Sequence, residues 1–226
     1  MRTVVVLLLL STLTAAQTDP SQKQDGFGAV RGQVVDGHGR PVEGAVVSSE
    51  PTDGVVQGIV RNVTTNENGE FYLDRIPAGE YMVLASKVTA FYPDARFAFF
   101  GAGMGEFPTV HISAGQTAQD VIVRLLQKGA RLSGAILDAE TGKPVITSRI
   151  HFMRQDPPHL SFATSPDEHG RFDLVVPVQP FVMEVSAPCY RTWSPGSTGV
   201  LLLQPESVKE ESIKLQREAQ STCNAG

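Results

Sequence analysis

The chain has little with which to cross a membrane, grip nucleic acid or staple itself together. The apolar run Val4 to Leu10 is far shorter than the roughly 20 residues of a membrane-spanning helix and no later segment is long enough, so no integral membrane span is expected. Lysine and arginine number 19 against 24 acidic residues and form no stripe, which makes nucleic acid and anionic membrane surfaces poor partners. Two cysteines, Cys189 and Cys223, allow at most one disulfide. No long helical pattern is present either. The 21 glycines and 15 prolines point instead to many short strands joined by turns.

What is present is ordinary globular material, with 41% hydrophobic and 19% charged residues. The length of 226 residues suits two domains of roughly 100 residues each. The N-terminus, MRTVVVLLLLSTLTAAQ, has one basic residue, a short apolar run and small residues before Gln17. Residues 1–16 are expected to be a secretory signal peptide cut after Ala16, the rival being an uncleaved anchor. No cysteine follows the cut, so no lipid anchor is expected. Export makes a Cys189–Cys223 disulfide permissible, and closing that loop would contribute on the order of 3 kcal/mol. Two free thiols are the other reading. The expected location is secreted or periplasmic.

A repeat organises the rest. Gly32-Gln33-Val34-Val35-Asp36 aligns with Gly134-Ala135-Ile136-Leu137-Asp138. Gly39-Arg40-Pro41-Val42 and Gly142-Lys143-Pro144-Val145 follow them. Asn68-Gly69-Glu70-Phe71-Tyr72-Leu73 matches His169-Gly170-Arg171-Phe172-Asp173-Leu174, and Pro77 to Ser86 matches Pro177 to Ser186. The period is a whole domain. Apolar residues alternate within each unit (Phe71 and Leu73; Tyr81, Val83 and Ala85; Phe181, Met183 and Val185), so two sheets must pack face to face. Seven strands per unit is the expectation, as in an immunoglobulin-like sandwich.

These residues resemble the carboxypeptidase regulatory-like domain. Its pattern is carried by Gly32 to Asp36, Gly39 to Val47, Thr65 through Gly69-Glu70-Phe71-Tyr72-Leu73, and Ile76-Pro77-Ala78-Gly79-Glu80-Tyr81. The second unit departs at Val145 to Ser148, has Gln179 where a glycine is usual, and has Cys189 in the glycine position of an Ala-Pro-Gly-Tyr segment. The resemblance implies an all-β fold of two tandem transthyretin-like Greek-key sandwiches and a non-catalytic accessory role. The expected domains are residues 27–127 and 129–217, with a flexible tail over 218–226.

The chemistry-bearing residues are sparse. None of His38, His111, His151, His159 and His169 has a glutamate three residues on, and no two share a metal-ligand spacing. A G-x-S-x-G elbow is missing as well. No catalytic residue, metal or cofactor is expected. The turns Asn66 to Gly69 and Asp167 to Gly170 read as hairpin turns before they read as calcium loops. Asn62-Val63-Thr64 is a glycosylation sequon only in a eukaryotic host. The aromatic stretch 90–107, by contrast, carries six of the chain's 11 phenylalanines and 4 tyrosines. Phe91, Tyr92, Phe97, Phe99 and Phe100 are therefore the candidate binding surface, for a protein or a glycan. The competing reading has them capping a core or the seam between domains. Function then reads as an exported non-catalytic binding or structural module. The alternatives are a hydrolase or carbohydrate-active protein with a site at the seam, and an accessory subunit of an envelope peptidase or transporter.

Overall fold

A computed structural model describes residues 26–52, 62–95, 97, 105–155 and 161–219. The first unit runs β1 (Phe27–Asp36), β2 (Val46–Pro51), β3 (Asn62–Thr64), β4 (Glu70–Pro77) and β5 (Gly79–Ser86). A single 3-10 turn, Val88–Ala90, follows, and then β6 (Gly105–Glu106), β7 (Thr109–Ile112) and β8 (Thr117–Leu125). The second unit has β9 (Ala130–Asp138), β10 (Arg149–Arg154), β11 (Ser161–Thr164) and β12 (Arg171–Val176). It ends with β13 (Phe181–Ser186), β14 (Val200–Leu201) and β15 (Val208–Leu215). The second unit meets the seven-strand expectation; the first has an eighth, the two-residue β6, laid on Arg124 and Leu125 of β8.

Four sheets result, in the orders β4-β1-β8-β6, β3-β2-β5-β7, β12-β9-β15 and β11-β10-β13-β14. Each unit buries its alternating residues between its own pair. Val30, Val34, Val47, Leu73, Val83 and Val123 fill one core; Leu132, Ile136, Ile150, Phe152, Met183 and Ile213 fill the other. The first and last strands of each unit run parallel, β1 beside β8 and β9 beside β15. That neighbour accounts for the repeated glycine. A Cβ on Gly32 would lie 2.0 Å from the Val121 carbonyl oxygen and 2.8 Å from the Phe71 ring. One on Gly134 would lie 2.0 Å from the Glu211 oxygen and 2.9 Å from Phe172. Only a residue without a Cβ fits between strand and ring.

The two units are joined by more than the chain. Residues 91–97 cross to the second sandwich, where the Asp94 N–H donates to the Val175 carbonyl at 3.1 Å and the Gly129 N–H donates to Phe91 at 2.6 Å. Phe97 is fully buried, and it is buried in the second core. Its ring meets Phe152 and Phe162 edge-on at 5.2 and 4.6 Å, geometry that favours the aromatic quadrupoles. Phe107 packs against both cores. Phe97→Ala should therefore cost about 3–5 kcal/mol, as deletion of a buried phenylalanine ring does. Urea unfolding of the two proteins tests this. A Phe97→Ala midpoint equal to that of wild type would mean that the ring carries no structural load.

Candidate functional site

The carboxylates with the most depressed pKa values are turn residues. Asp36 ends β1 with its Oδ1 accepting the backbone N–H groups of His38 and Arg40 at 2.9 and 3.0 Å. Its Oδ2 accepts the Arg40 side chain at 2.8 Å. These bonds, led by the Arg40 guanidinium, hold the carboxyl down from the ordinary 3.8 to about 2. His38 gives the turn only its backbone N–H. Asp138, the equivalent residue, is 2% exposed. Its Oδ1 accepts from Glu140 and Thr141, while its Oδ2 accepts the Tyr190 hydroxyl at 2.7 Å and Arg217 Nε at 2.8 Å. The Tyr190 hydrogen bond, followed by the turn amides, places its carboxyl well below the usual range. The same bond raises the Tyr190 phenol.

The other turn oxygens are similarly committed. Asn66 Oδ1 accepts from Asn68 and Glu70, and Asp167 Oδ1 from His169 and Arg171. Among the described residues no three His, Cys, Asp or Glu side chains gather as a metal site would require. His38, His111 and His169 are exposed on separate elements, and the His151 ring lies 3.1 Å from the Ser186 hydroxyl. His159 lies outside the described residues.

The aromatic candidates divide. Phe97 is withdrawn from any surface because it completes the second core. Tyr92 is half-buried against the first core, and burial raises its phenol. Phe91, also half-buried, ends the 3-10 turn in a left-handed conformation, φ 63°. Phe99 and Phe100 lie outside the described residues. Cys189 is disulfide-bonded, and Cys223, the partner expected for it, lies outside the described residues. The Cys189 φ of 67° suits glycine, the residue the family pattern has there.

Sequence reasoning did not find the cleft at the seam. Strand register puts Val46, Ser48 and Glu50 of β2 opposite Ser86, Leu84 and Met82 of β5, on the face turned away from the first core. Such a face is ordinarily polar and wet. Here Leu84 is 1% exposed, because residues 88–95 and β11 stand over it. Between them lies a cleft of about 720 Å3, with Leu84, Val46 and Phe162 as apolar walls and Glu50, Lys87 and Asp94 as its charged groups. Burial pushes the Glu50 carboxyl up, and no hydrogen bond or ion pair among the described residues offsets it. A second cleft, about 660 Å3, lies over Ser133, Asp173 and Glu211. Two of its charges are paired, Asp173 with Arg131 and Glu211 with Lys209.

The aspartate turns set an acid limit on stability. Asp36 is more acidic folded than unfolded, so its stabilisation is complete above 3.8 and is lost as the pH falls towards 2. Asp138 follows the same sign. Asp36→Asn and Asp138→Asn should lower the urea midpoint at pH 7, and the gap from wild type should narrow from pH 4 downwards. A gap independent of pH would show that the ionised carboxylates do not stabilise the turns.

Residues 29–125 match the family described as the carboxypeptidase regulatory-like domain. No curated protein matches the chain. Among solved structures, the TIE protein of Bacillus anthracis is 13% identical with a TM-score of 0.31, over 85% of this chain and 34% of that one. A streptococcal ancillary pilin is 15% identical with a TM-score of 0.31, over 88% and 64%. The shaft pilin SpaA of Lactobacillus rhamnosus GG is 11% identical with a TM-score of 0.35, over 85% and 98%. The chain thus spans about a third of the first of these proteins and under two thirds of the second. The family match falls on the first sandwich, whose turn and core residues resemble the same family.

Proposed function

We propose that the chain is an exported, non-catalytic binding module that recognises a protein or glycan through the cleft at the seam. The observation that carries this reading is the joint construction of the cleft. Strands β2 and β5 form one wall, β11 forms the other, and Phe97 anchors the crossing segment in the second core. Such a surface is pre-formed, so a ligand need not bear the cost of assembling it. The strongly shifted aspartates support a non-catalytic role, because each is committed to a turn.

Binding is tested with glycan and peptide arrays, followed by titration of wild type and Thr89→Trp. Thr89 is exposed at the mouth of the cleft, so the indole blocks it without entering either core. Affinity for array ligands should fall at least tenfold, or about 1.4 kcal/mol, with no change in unfolding midpoint. Ligands that bind Thr89→Trp as tightly as wild type would place recognition elsewhere. Glu50 also favours a second reading, a hydrolase at the seam, since a carboxyl whose proton affinity is raised by burial in a cleft can act as a general acid. Turnover of glycoside or ester substrates, abolished by Glu50→Gln, would select that reading instead.

Export is supported by the pattern of residues 1–17 and by the disulfide at Cys189, since such bonds persist in oxidising compartments. We assign its partner as Cys223. A left-handed non-glycine residue costs roughly 1–2 kcal/mol, a strain that the bridge to the tail offsets at Cys189. Denatured wild type should contain no free thiol, and reduction should add the mass of two hydrogens. Cys189→Gly relieves the strain and should leave one reactive thiol, at Cys223. A free thiol in unreduced wild type would sink the pairing.

A further inference from the structure

We infer that the seam cleft takes the basic side chain, lysine or arginine, of an extended polypeptide, with its cationic head on the Glu50 carboxylate and its aliphatic stem along Val46, Leu84 and Phe162. The inference rests on the cleft being the recognition site, and it names the chemistry that the site selects. Glu50 is half-buried on the outward face of β2, and it has neither an ion pair nor a side-chain hydrogen bond among the described residues. Its neighbours in the cleft do not neutralise it. Lys87, the one basic residue in the described lining, directs its ammonium to the Glu43 carbonyl oxygen.

A desolvated, unpaired carboxylate is costly, and the cost falls when a cation with hydrogen-bond donors reaches it. Ligand classes differ in whether they bring one. A neutral glycan leaves Glu50 uncompensated, and an acidic partner meets Glu50 with like charge. Lysine and arginine bring three or four methylenes below a charged head, which matches an apolar wall ending in a carboxylate. The cleft, at about 720 Å3, is larger than one side chain needs. The hydroxyls of Ser48, Ser86 and Thr89 in its lining can hydrogen-bond peptide groups on either side of the basic residue.

Three end-capped pentapeptides, Ala-Ala-Arg-Ala-Ala and its Gln and Glu counterparts, are titrated against the full mature chain and its Glu50→Gln and Thr89→Trp variants. The arginine peptide should bind at least tenfold tighter than the glutamine one, the glutamate peptide most weakly. Glu50→Gln should reduce the arginine preference to about twofold or less. The variant should also unfold at the wild-type midpoint or above it at pH 7, because it removes a half-buried charge that has no partner among the described residues. Equal binding of the arginine and glutamine peptides, or a preference that survives Glu50→Gln, overturns the inference. If no pentapeptide binds while array ligands still bind in a Thr89-dependent way, the basic-peptide assignment fails and the binding-module reading stands. If neither the pentapeptides nor the array ligands bind, both fail.

Discussion

The seating of Phe97 in the second core is the contact on which the arrangement of the two sandwiches depends. Each sandwich has its own pair of sheets and its own buried cluster, and a short connection around Gly129 would by itself allow them to swing. A ring set edge-on against the stacked Phe152 and Phe162 removes that freedom, because releasing it means opening a packed core. The connection is also crowded. A Cβ at Gly129 would lie 2.2 Å from the Val176 oxygen and 2.9 Å from Pro93, so the chain passes where only glycine fits. Lys128, paired with Glu206 at 2.5 Å, adds an exposed contact of small worth beside these.

From that anchoring follows the unusual state of one sheet face. The outward side of β2 and β5 would be solvated in an isolated sandwich, where Leu84 would be an anomaly. With residues 88–95 and β11 standing over it, Leu84 becomes a wall and Glu50 a half-buried acid. The aromatic stretch thus shapes the cleft indirectly. One of its rings leaves the surface altogether and, in doing so, fixes the walls between which a ligand can lie.

Local patterns in the sequence carried the fold, and they did so because the determinants of a sandwich recur along the chain. Alternation set the inward residues. The doubled aspartate turn marked the end of the first strand in each unit, and the second copy has no histidine at the place of His38. The structure supplies the reason: Asp36 uses the His38 backbone and leaves the ring in solvent. Contacts that join distant positions were not legible. Nothing near Asp138 points to Tyr190 or to Arg217, which lie 52 and 79 residues away and bond the same oxygen. The destination of Phe97 was hidden for the same reason. An aromatic cluster reads alike whether it faces water, its own core or the core next door. Leu84 likewise read as one more apolar residue in a strand whose other face was already filled.

The carboxylates separate structure from function more sharply than the histidines do. Asp36 and Asp138 are pulled down because every favourable partner is supplied from within the fold; ionisation and folding reinforce each other, and nothing is left to offer a ligand. Glu50 is pushed the other way by burial, with no partner among the described residues to offset it. A protein gains no stability by keeping an uncompensated acid in an apolar cleft, and a neutral residue there would fold as well or better. Retaining the charge makes physical sense when something outside the chain completes it. Of the groups a ligand could bring, a cation with hydrogen-bond donors repairs the deficit most fully, and a basic side chain also covers the apolar wall beside it.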